Sequence, residues 1–396
     1  MKLRIMIGSD LAPPVIGGAE RYVINLGSRL ADSGNEVHWL TSLISNTSRE
    51  ENYDGINMHR IRIFLTKNYR FMGRLTYALT SILPGIKLAK NMDILQFNTF
   101  VAGVSGWLIA KLARKPSVLF CHEFFGPRWK YLGQNFLERN FYPYVEKFMV
   151  RMPYDAFACP SEYSKRTLIE AGAPEEKISV IPHGINFEIF NSSVSGENIR
   201  EKHGLGKFKT FGYSGRLSLK KVAHAKNLMG LLKAAKIVLE KVPDAKFVLG
   251  GSGYENIYPA IKELGMEDKV VYVGERPFEE VGQFYGALDV TVCPALSEGF
   301  CFLTAEALAC GRPTVATALG AHNERITDKE TGLLTGEQPE ELAEAIISIL
   351  NDEAAARRLG ENAEKWSKQL TWESSVKKHL ELYQEVIDAR KRKSQK

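Results

Sequence analysis

The chain has 396 residues, 44% of them hydrophobic and 25% charged, with a formal net charge of +6 at pH 7. That length exceeds what one ordinary core holds and predicts two domains of roughly 150–200 residues. No apolar run of about 18 residues occurs, which excludes a membrane-spanning helix from the reading, and the polar turn after "MKLRIMIGSD" marks a first strand, not a signal peptide.

Apolar runs of strand length alternate with stretches of helical spacing. Residues 3–9 form the first strand, and "GGAERYVINLGSRLADSG" follows with Val23, Leu26 and Leu30 on one helical face. Strands are then expected at 36–42, 92–98, 117–123, 155–161 and 177–184, with helices over 101–114 and in the aromatic stretch up to about 151. A linker containing "NSSVSGEN" lies within 184–208. The rhythm restarts with strands at 209–218, 245–253, 269–275, 288–295, 312–319 and 331–335, and helices at 226–241, 339–350, 353–368 and 372–391. Repeated β-α-β units predict parallel sheets covered by helices on both faces. We expect an α/β chain of two doubly wound, Rossmann-like domains facing a central cleft. The expected domains are 1–186 and 187–371, with helix 372–396 returning to the first.

The five cysteines (Cys121, Cys159, Cys293, Cys301, Cys310) form no C-x-x-C pair and read as free thiols in a reducing, cytoplasmic compartment. The first 190 residues hold 23 basic and 17 acidic side chains; the remainder holds 29 of each. Within residues 55–92 stand Arg60, Arg62, Lys67, Arg70, Arg74, Lys87 and Lys90, with no acid among them. Such a block suits an anionic partner or a solvated face.

In open α/β sheets ligands gather beyond the carboxyl ends of the strands, so residues that carry chemistry should follow a strand. Glu298 and Glu306 in "SEGFCFLTAEALACG" meet that test, one in a loop and one early in the next helix. Acceptor-only carboxylates beside a helix N-terminus suit hydroxyl groups of a sugar or ribose; plain helix capping is the competing explanation. Arg216 follows strand 209–218, and Lys226 opens the next helix, with Lys220, Lys221 and His224 between. Such cations can neutralise a diphosphate without a metal. Gly17 and Gly18 sit between strand and helix, where a backbone can approach phosphate or sugar. The "GGSG" turn containing Gly251 also follows a strand. His122 ends another and can act as base or donor; His183 reads as structural. No metal-ligand set, P-loop, G-x-S-x-G or G-x-G-x-x-G after the first strand is present.

Together these motifs resemble the retaining glycosyltransferases of family GT4, which have the GT-B fold. The family's E-x7-E motif falls on Glu298 and Glu306, supported by "GGAERYV", "SEYSKRTLIEAGAPEEKISVIPHGIN" and "GRLS…KNLMGLLKAA". The resemblance implies that Glu306 holds the nucleotide ribose, Glu298 the donor sugar, and Arg216 with Lys226 the diphosphate. Backbone at Gly299, Phe300, Cys301, Phe302 and Leu303 would hold sugar and phosphate, and Gly251 and Val273 would border the nucleotide. Gly17, Gly18 and His122 would lie near the acceptor. Four departures stand out: a stretched Arg–Lys interval that leaves Lys221 as an alternative to Lys226, Cys301 and Phe302 after Gly299-Phe300, "GAHNE" for a Gly-Gly loop, and Asn186 for the usual Asp.

The expected function is retaining, metal-independent and cofactor-free transfer from a nucleotide-sugar, UDP-sugar favoured over GDP-sugar, to an acceptor hydroxyl. Basic residues interleaved with apolar ones in 67–90, and aromatic ones in 124–154, suggest a lipid-linked or phospholipid acceptor and a peripheral place on the cytoplasmic membrane face through residues 55–92. The alternatives are a small sugar or sugar-phosphate acceptor, a nucleotide-sugar epimerase, or a silent nucleotide-sugar-binding subunit. No nucleic-acid recognition motif accompanies the basic block.

Overall fold

The structure, a computed structural model, describes residues 2–44, 46–64, 73–99, 101–129, 136–219 and 225–395. Lys67, Arg70, Lys220, Lys221 and His224 from the reading above, and parts of the stretches 67–90 and 124–154, lie outside these residues. The chain divides into two compact units, one of Met1–Pro127, Asn140–Gly184 and Trp372–Lys396, the other of Arg128–Arg139 and Ile185–Thr371.

The first unit is built on an eight-stranded sheet of order β3-β4-β2-β1-β5-β6-β7-β8. Its strands are β1 (Arg4–Gly8), β2 (Glu36–Leu43), β3 (Glu50–Tyr53), β4 (Ile56–Arg62), β5 (Ile94–Asn98), β6 (Ser117–Phe120), β7 (Ala156–Cys159) and β8 (Ile178–Val180). All neighbours pair in parallel except the β3–β4 hairpin, which is antiparallel at the edge. Central strands buried on both faces read as unbroken apolar runs; Ile5, Met6 and Ile7 are fully buried, as are Val118, Leu119 and Phe120. The helices named below are α1 (Gly18–Asp32), α2 (Arg74–Thr80), α3 (Ile82–Ala89) and α4 (Val101–Ala113), followed by the Phe136–Val150 and Glu162–Ala171 helices. The order reverses between β1 and β5, so the loops after these two strands lie side by side.

The C-terminal helix, Trp372–Ser394, packs on α1 through a buried polar chain. His379 Nδ1 lies 2.8 Å from the Ser375 carbonyl, which makes Nδ1 the donor and leaves Nε2 to accept from the Tyr22 hydroxyl at 2.7 Å. Gln96 Nε2 donates to the Tyr22 oxygen at 3.1 Å, and the Tyr383 hydroxyl donates to Gln96 Oε1 at 2.7 Å. Tyr22, Gln96, His379 and Tyr383 are all buried and each finds a partner in this chain, which joins α1, β5 and the last helix in one register.

The second unit carries a six-stranded, all-parallel sheet of order β11-β10-β9-β12-β13-β14. The strands are β9 (Lys209–Ser214), β10 (Ala245–Gly250), β11 (Val270–Tyr272), β12 (Val290–Cys293), β13 (Thr314–Thr317) and β14 (Leu333–Thr335). Its order reverses between β9 and β12. All five cysteines are free and buried.

Burial holds the His379 pKa down at about 4, so the folded chain keeps this imidazole neutral. The unfolded histidine takes up its proton near pH 6.5. Stability is therefore fully present above pH 6.5 and declines as pH falls toward 4, an outcome that urea denaturation at stepped pH will register. Tyr383→Phe strands Gln96 Oε1 in the core and should cost about 1–3 kcal/mol at neutral pH.

Candidate functional site

The reversal between β9 and β12 makes neighbours of two loops distant in sequence. The loop after β9 carries Gly215 and Arg216; the loop after β12 carries Glu298. Arg216 is exposed and its side chain has no hydrogen-bond partner among the described residues. Lys226 stands in the turn before the Leu228–Lys241 helix, and its ammonium forms an ion pair with Glu298 Oε1. The side chains are 43% and 16% exposed respectively.

Burial alone would lower the Lys226 ammonium, but Glu298 and then Tyr213 outweigh it and its pKa rises. Because the lysine is partly exposed, water tempers that rise. Burial raises the Glu298 carboxyl, with Lys226 opposing. Both groups are raised, so the two compete for one shared proton. The close contact favours the ionised pair, with Lys226 keeping the proton. Tyr213, at the end of β9 and 5% exposed, completes the niche.

The Glu298 backbone is fixed independently of its side chain. The Ala321 N–H donates to the Glu298 carbonyl at 2.9 Å. Gly320 adopts φ +64°, and a Cβ there would lie 2.7 Å from the Glu298 nitrogen. Ala321 has an ordinary φ of −78°. The "GAHNE" loop therefore needs one glycine, and has it.

Gly299 and Phe300 are buried, and Cys301, at φ +60°, caps the Phe302–Ala309 helix; Phe302 and Leu303 begin it. The Cys301 thiol lies 3.0 Å from Thr304 Oγ1, which lies 3.0 Å from His322 Nδ1. Burial raises the thiol, but Cys293 and His322 outweigh it and bring Cys301 well below the ordinary thiol range. Burial lowers His322, and Cys301 reverses that to a net rise. The two departures at Cys301 and "GAHNE" are thus one cluster behind Glu298. Arg325, 4% exposed, lies over the Phe300 ring at 4.5 Å.

Glu306 occupies the fifth position of the same helix and is 2% exposed. It accepts a hydrogen bond from the Tyr285 hydroxyl at 2.9 Å. Gly251, at φ +102°, approaches Gly215 so closely that a Cβ would lie 2.1 Å from the Gly215 carbonyl. With Ser214, Gly274, Arg276 and Phe284 these glycines line a cavity of about 180 Å³ at the carboxyl ends of β9–β11, and Val273 is buried beside it. A larger groove of about 750 Å³ lies at the opposite strand ends, among Lys209, Asp244, Asp289 and Pro313. The sheet's geometry favours the smaller cavity as the ligand site.

In the first unit Gly17 caps α1, and its N–H donates to Glu20 Oε2 at 2.8 Å; Gly18 is exposed. The carboxylate that the helix start attracts is the chain's own. His122 follows β6, with its ring 5.1 Å from Tyr22, 4.9 Å from Phe120 and 5.9 Å from His183. Burial holds its pKa at about 3, and its Nε2 has no hydrogen-bond partner among the described residues. It is a neutral imidazole. Arg60 is 4% exposed and donates to Glu51, Pro13 and Ser48, so it is not part of any outward basic face. Arg74 pairs with Asp10 at 2.8 Å. The sequence reading missed Glu20, Tyr213, Tyr285 and His322. For the last, its place after strand β13 was the available signal.

Solved structures of similar fold include sucrose-phosphate synthase from Thermosynechococcus elongatus, with TM-score 0.84, 24% identity and coverage of 98% of this chain and 100% of that one. Another is Anabaena HepE in complex with UDP-glucose, with TM-score 0.77, 21% identity, and 96% and 98% coverage. Two Rossmann-like parallel-sheet domains of this kind define the GT-B class. A family model described as glycosyltransferase family 4 matches residues 16–189, and one described as glycosyl transferases group 1 matches residues 195–366. The chain belongs to glycosyltransferase family 4 and is a glycosyltransferase. An uncharacterized glycosyltransferase of Methanocaldococcus jannaschii is 28% identical over 381 residues, 95% of this chain and 96% of that protein. The D-inositol 3-phosphate glycosyltransferase of Corynebacterium glutamicum is 24% identical over 94% of this chain and 92% of its own length. The alpha-monoglucosyldiacylglycerol synthase of Streptococcus pneumoniae is 27% identical over 88% and 78%.

Gly320→Ala should destabilise the second unit, since a left-handed alanine alone costs about 1–2 kcal/mol and its Cβ also meets the Glu298 backbone. Ala321→Gly should cost less, about 0.5–1 kcal/mol. Paired thermal denaturation curves of the two variants test that order.

Proposed function

We propose that this glycosyltransferase moves a sugar from a nucleoside diphosphate sugar, UDP-sugar foremost, to a hydroxyl of a membrane lipid or lipid-linked saccharide, with retention at the anomeric carbon. The observation that carries the reading is the meeting of the Lys226–Glu298 ion pair with exposed Arg216 where the strand order reverses. Breaking the anomeric bond leaves negative charge on the departing phosphate. Cations already fixed nearby stabilise it without reorganising. In this reading Arg216 and Lys226 take the diphosphate, with amides from Gly299 to Leu303 supporting them. Diphosphate binding releases Glu298 from Lys226 toward the donor sugar. Glu306 and Tyr285 serve the ribose, and the small cavity near Gly251 and Val273 takes the nucleotide. Gly17, Gly18 and His122 serve the acceptor side, His122 as a neutral partner for a hydroxyl.

We favour front-face substitution, in which the acceptor oxygen bonds to the anomeric carbon as the phosphate oxygen leaves and takes the acceptor proton. No metal is invoked, because the two cations supply the charge. HepE, whose structure holds UDP-glucose, supports the donor class. The likeness to alpha-monoglucosyldiacylglycerol synthase supports a lipid acceptor, and the likeness to D-inositol 3-phosphate glycosyltransferases supports a small sugar-phosphate. The exposed apolar surface treated below tips the choice to lipid.

Thermal-shift screening should show UDP-sugars raising the melting temperature more than GDP-sugars. Product NMR should show the donor's anomeric configuration, and EDTA should leave turnover unchanged. Arg216→Ala should lower kcat/KM about 100- to 1000-fold with an unaltered melting temperature, since that exposed side chain has no hydrogen-bond partner among the described residues. A covalent sugar adduct on Glu298 detected by mass spectrometry would rule out the front-face step.

A further inference from the structure

Right-handed crossovers place α2, α3, α4 and the Phe136–Val150 helix on the same face of the first sheet, because the chain moves in one direction across it from β4, past β2 and β1, to β5, β6 and β7. The contacts agree. The α2 and α3 helices pack on α4, and Met149 packs against Gly103 of α4, where a Cβ would lie 2.9 Å from its sulfur.

The outer side of this layer is unusually apolar. Leu79 is 66% exposed and Leu83 79%, four residues apart across Ser81. Leu112 of α4 is 55% exposed. Phe141, Tyr144 and Phe148 are 52%, 70% and 60% exposed at spacings of three and four, which puts them on one stripe of their helix. Isolated exposed leucines need no explanation, but aligned stripes on neighbouring helices do.

Among the described side chains of these helices the exposed charge is basic. Lys87 and Lys90 at α3, Lys111 and Arg114 at α4, and Lys147 and Arg151 at the Phe136–Val150 helix are all exposed. Residues 73–91, 101–114 and 136–151 contain two acids, Glu138 and Glu146; Glu146 is buried and accepts from the N–H groups of Phe125 and Gly126 at 3.0 and 2.7 Å. Aromatic and leucine side chains flanked by lysine and arginine match a bilayer interface with anionic headgroups. Among the described residues no helix is long and apolar enough to cross a membrane, so the layer would lie on the bilayer, not in it.

We propose that the outer face of α2–α3, α4 and the Phe136–Val150 helix is a docking surface for an anionic lipid bilayer. It differs from the basic block of residues 55–92 in the sequence reading. Arg60 is buried, Arg74 is paired and Tyr77 turns inward to donate to the Leu40 carbonyl at 3.1 Å. Lysines and arginines supply attraction to the headgroups, and the leucines and aromatic rings supply the insertion. The lipid-acceptor reading gives the surface its purpose, but docking itself needs no turnover.

The full chain is sedimented with phosphatidylcholine vesicles, with and without phosphatidylglycerol, at about 0.1 M and about 1 M salt. Binding to the phosphatidylglycerol vesicles at low salt and its weakening at high salt are expected. Leu79→Glu/Leu83→Glu and Tyr144→Glu/Phe148→Glu should each reduce the partition coefficient at least about tenfold, the scale of withdrawing two such side chains from an apolar phase. Unchanged melting temperatures would show that these exposed sites do not support the fold. Lys87→Glu/Lys90→Glu/Lys147→Glu should abolish the preference for the anionic vesicles, which keeps the proposal testable if the apolar variants fold poorly. Absence of wild-type binding at low salt, or apolar variants that bind like wild type, would overturn it. So would sedimentation velocity showing a vesicle-free dimer that the same variants dissolve, since the occupant would then be a second copy. Vesicle binding without lipid glycosylation overturns only the acceptor reading; lipid glycosylation without vesicle binding overturns the docking surface.

Discussion

The contact between Lys226 and Glu298 is the constraint around which the second unit's candidate site is arranged. A carboxylate with most of its side chain out of water is unfavourable alone, and losing its partner would leave a charge in a poorly hydrated niche. The fold therefore holds both. The all-parallel sheet reverses its order between β9 and β12, the loop after β12 delivers Glu298, and the turn before the Leu228–Lys241 helix delivers Lys226. Ala321 and Gly320 clamp the Glu298 backbone from behind. In the proposed reading this ion pair is the point of exchange: a diphosphate entering beside Arg216 would compete with Glu298 for the ammonium, and the carboxylate it displaced would be free to accept a hydrogen bond from a hydroxyl.

Behind that pair lies a second, softer one. Cys301 and His322 bring a thiol shifted toward thiolate and an imidazole shifted toward imidazolium within reach of Glu298's field. Cys301 raises the Glu298 carboxyl, and His322, the weaker of the two influences, opposes it.

The strands were legible because they are buried on both faces. Residues 36–42 and 117–123 read as apolar runs and became Glu36–Leu43 and Ser117–Phe120. Expected strands overran at their carboxyl ends, as at 155–161 and 177–184 against Ala156–Cys159 and Ile178–Val180, because the apolar composition continues into loops that cross the sheet's end. The β3–β4 hairpin escaped the sequence reading: "EENY" is a short edge strand without apolar alternation, and in "INMHRIR" the inward position after Ile56 and Met58 is Arg60, buried and paired with Glu51. Likewise, spacing cannot encode the meeting of Lys226 and Glu298 across 72 residues; strand order creates it. The outward apolar stripes were half visible. The sequence marked residues 67–90 and 124–154 as basic and aromatic, but only burial separates Phe124 and Tyr77, which build the core, from Phe148 and Leu83, which do not.

That separation bears on how the first unit is put together. The C-terminal helix covers α1 on one side of the sheet and is bound there by the chain of Tyr22, His379, Gln96 and Tyr383. The opposite layer, made by α2–α3, α4 and the Phe136–Val150 helix, has no such cover among the described residues. Its inner side contributes Ala89, Ile109, Met149 and Val150 to the core, which meets the folding requirement. The outer side would be free to become polar, as solvated helices do, yet it keeps leucine and aromatic residues, and the exposed charges among its described side chains are basic. Stability does not demand that pattern, and solubility opposes it. The proposed contact with lipid would account for both the apolar stripes and the basic surplus, whereas a solvated face accounts for neither.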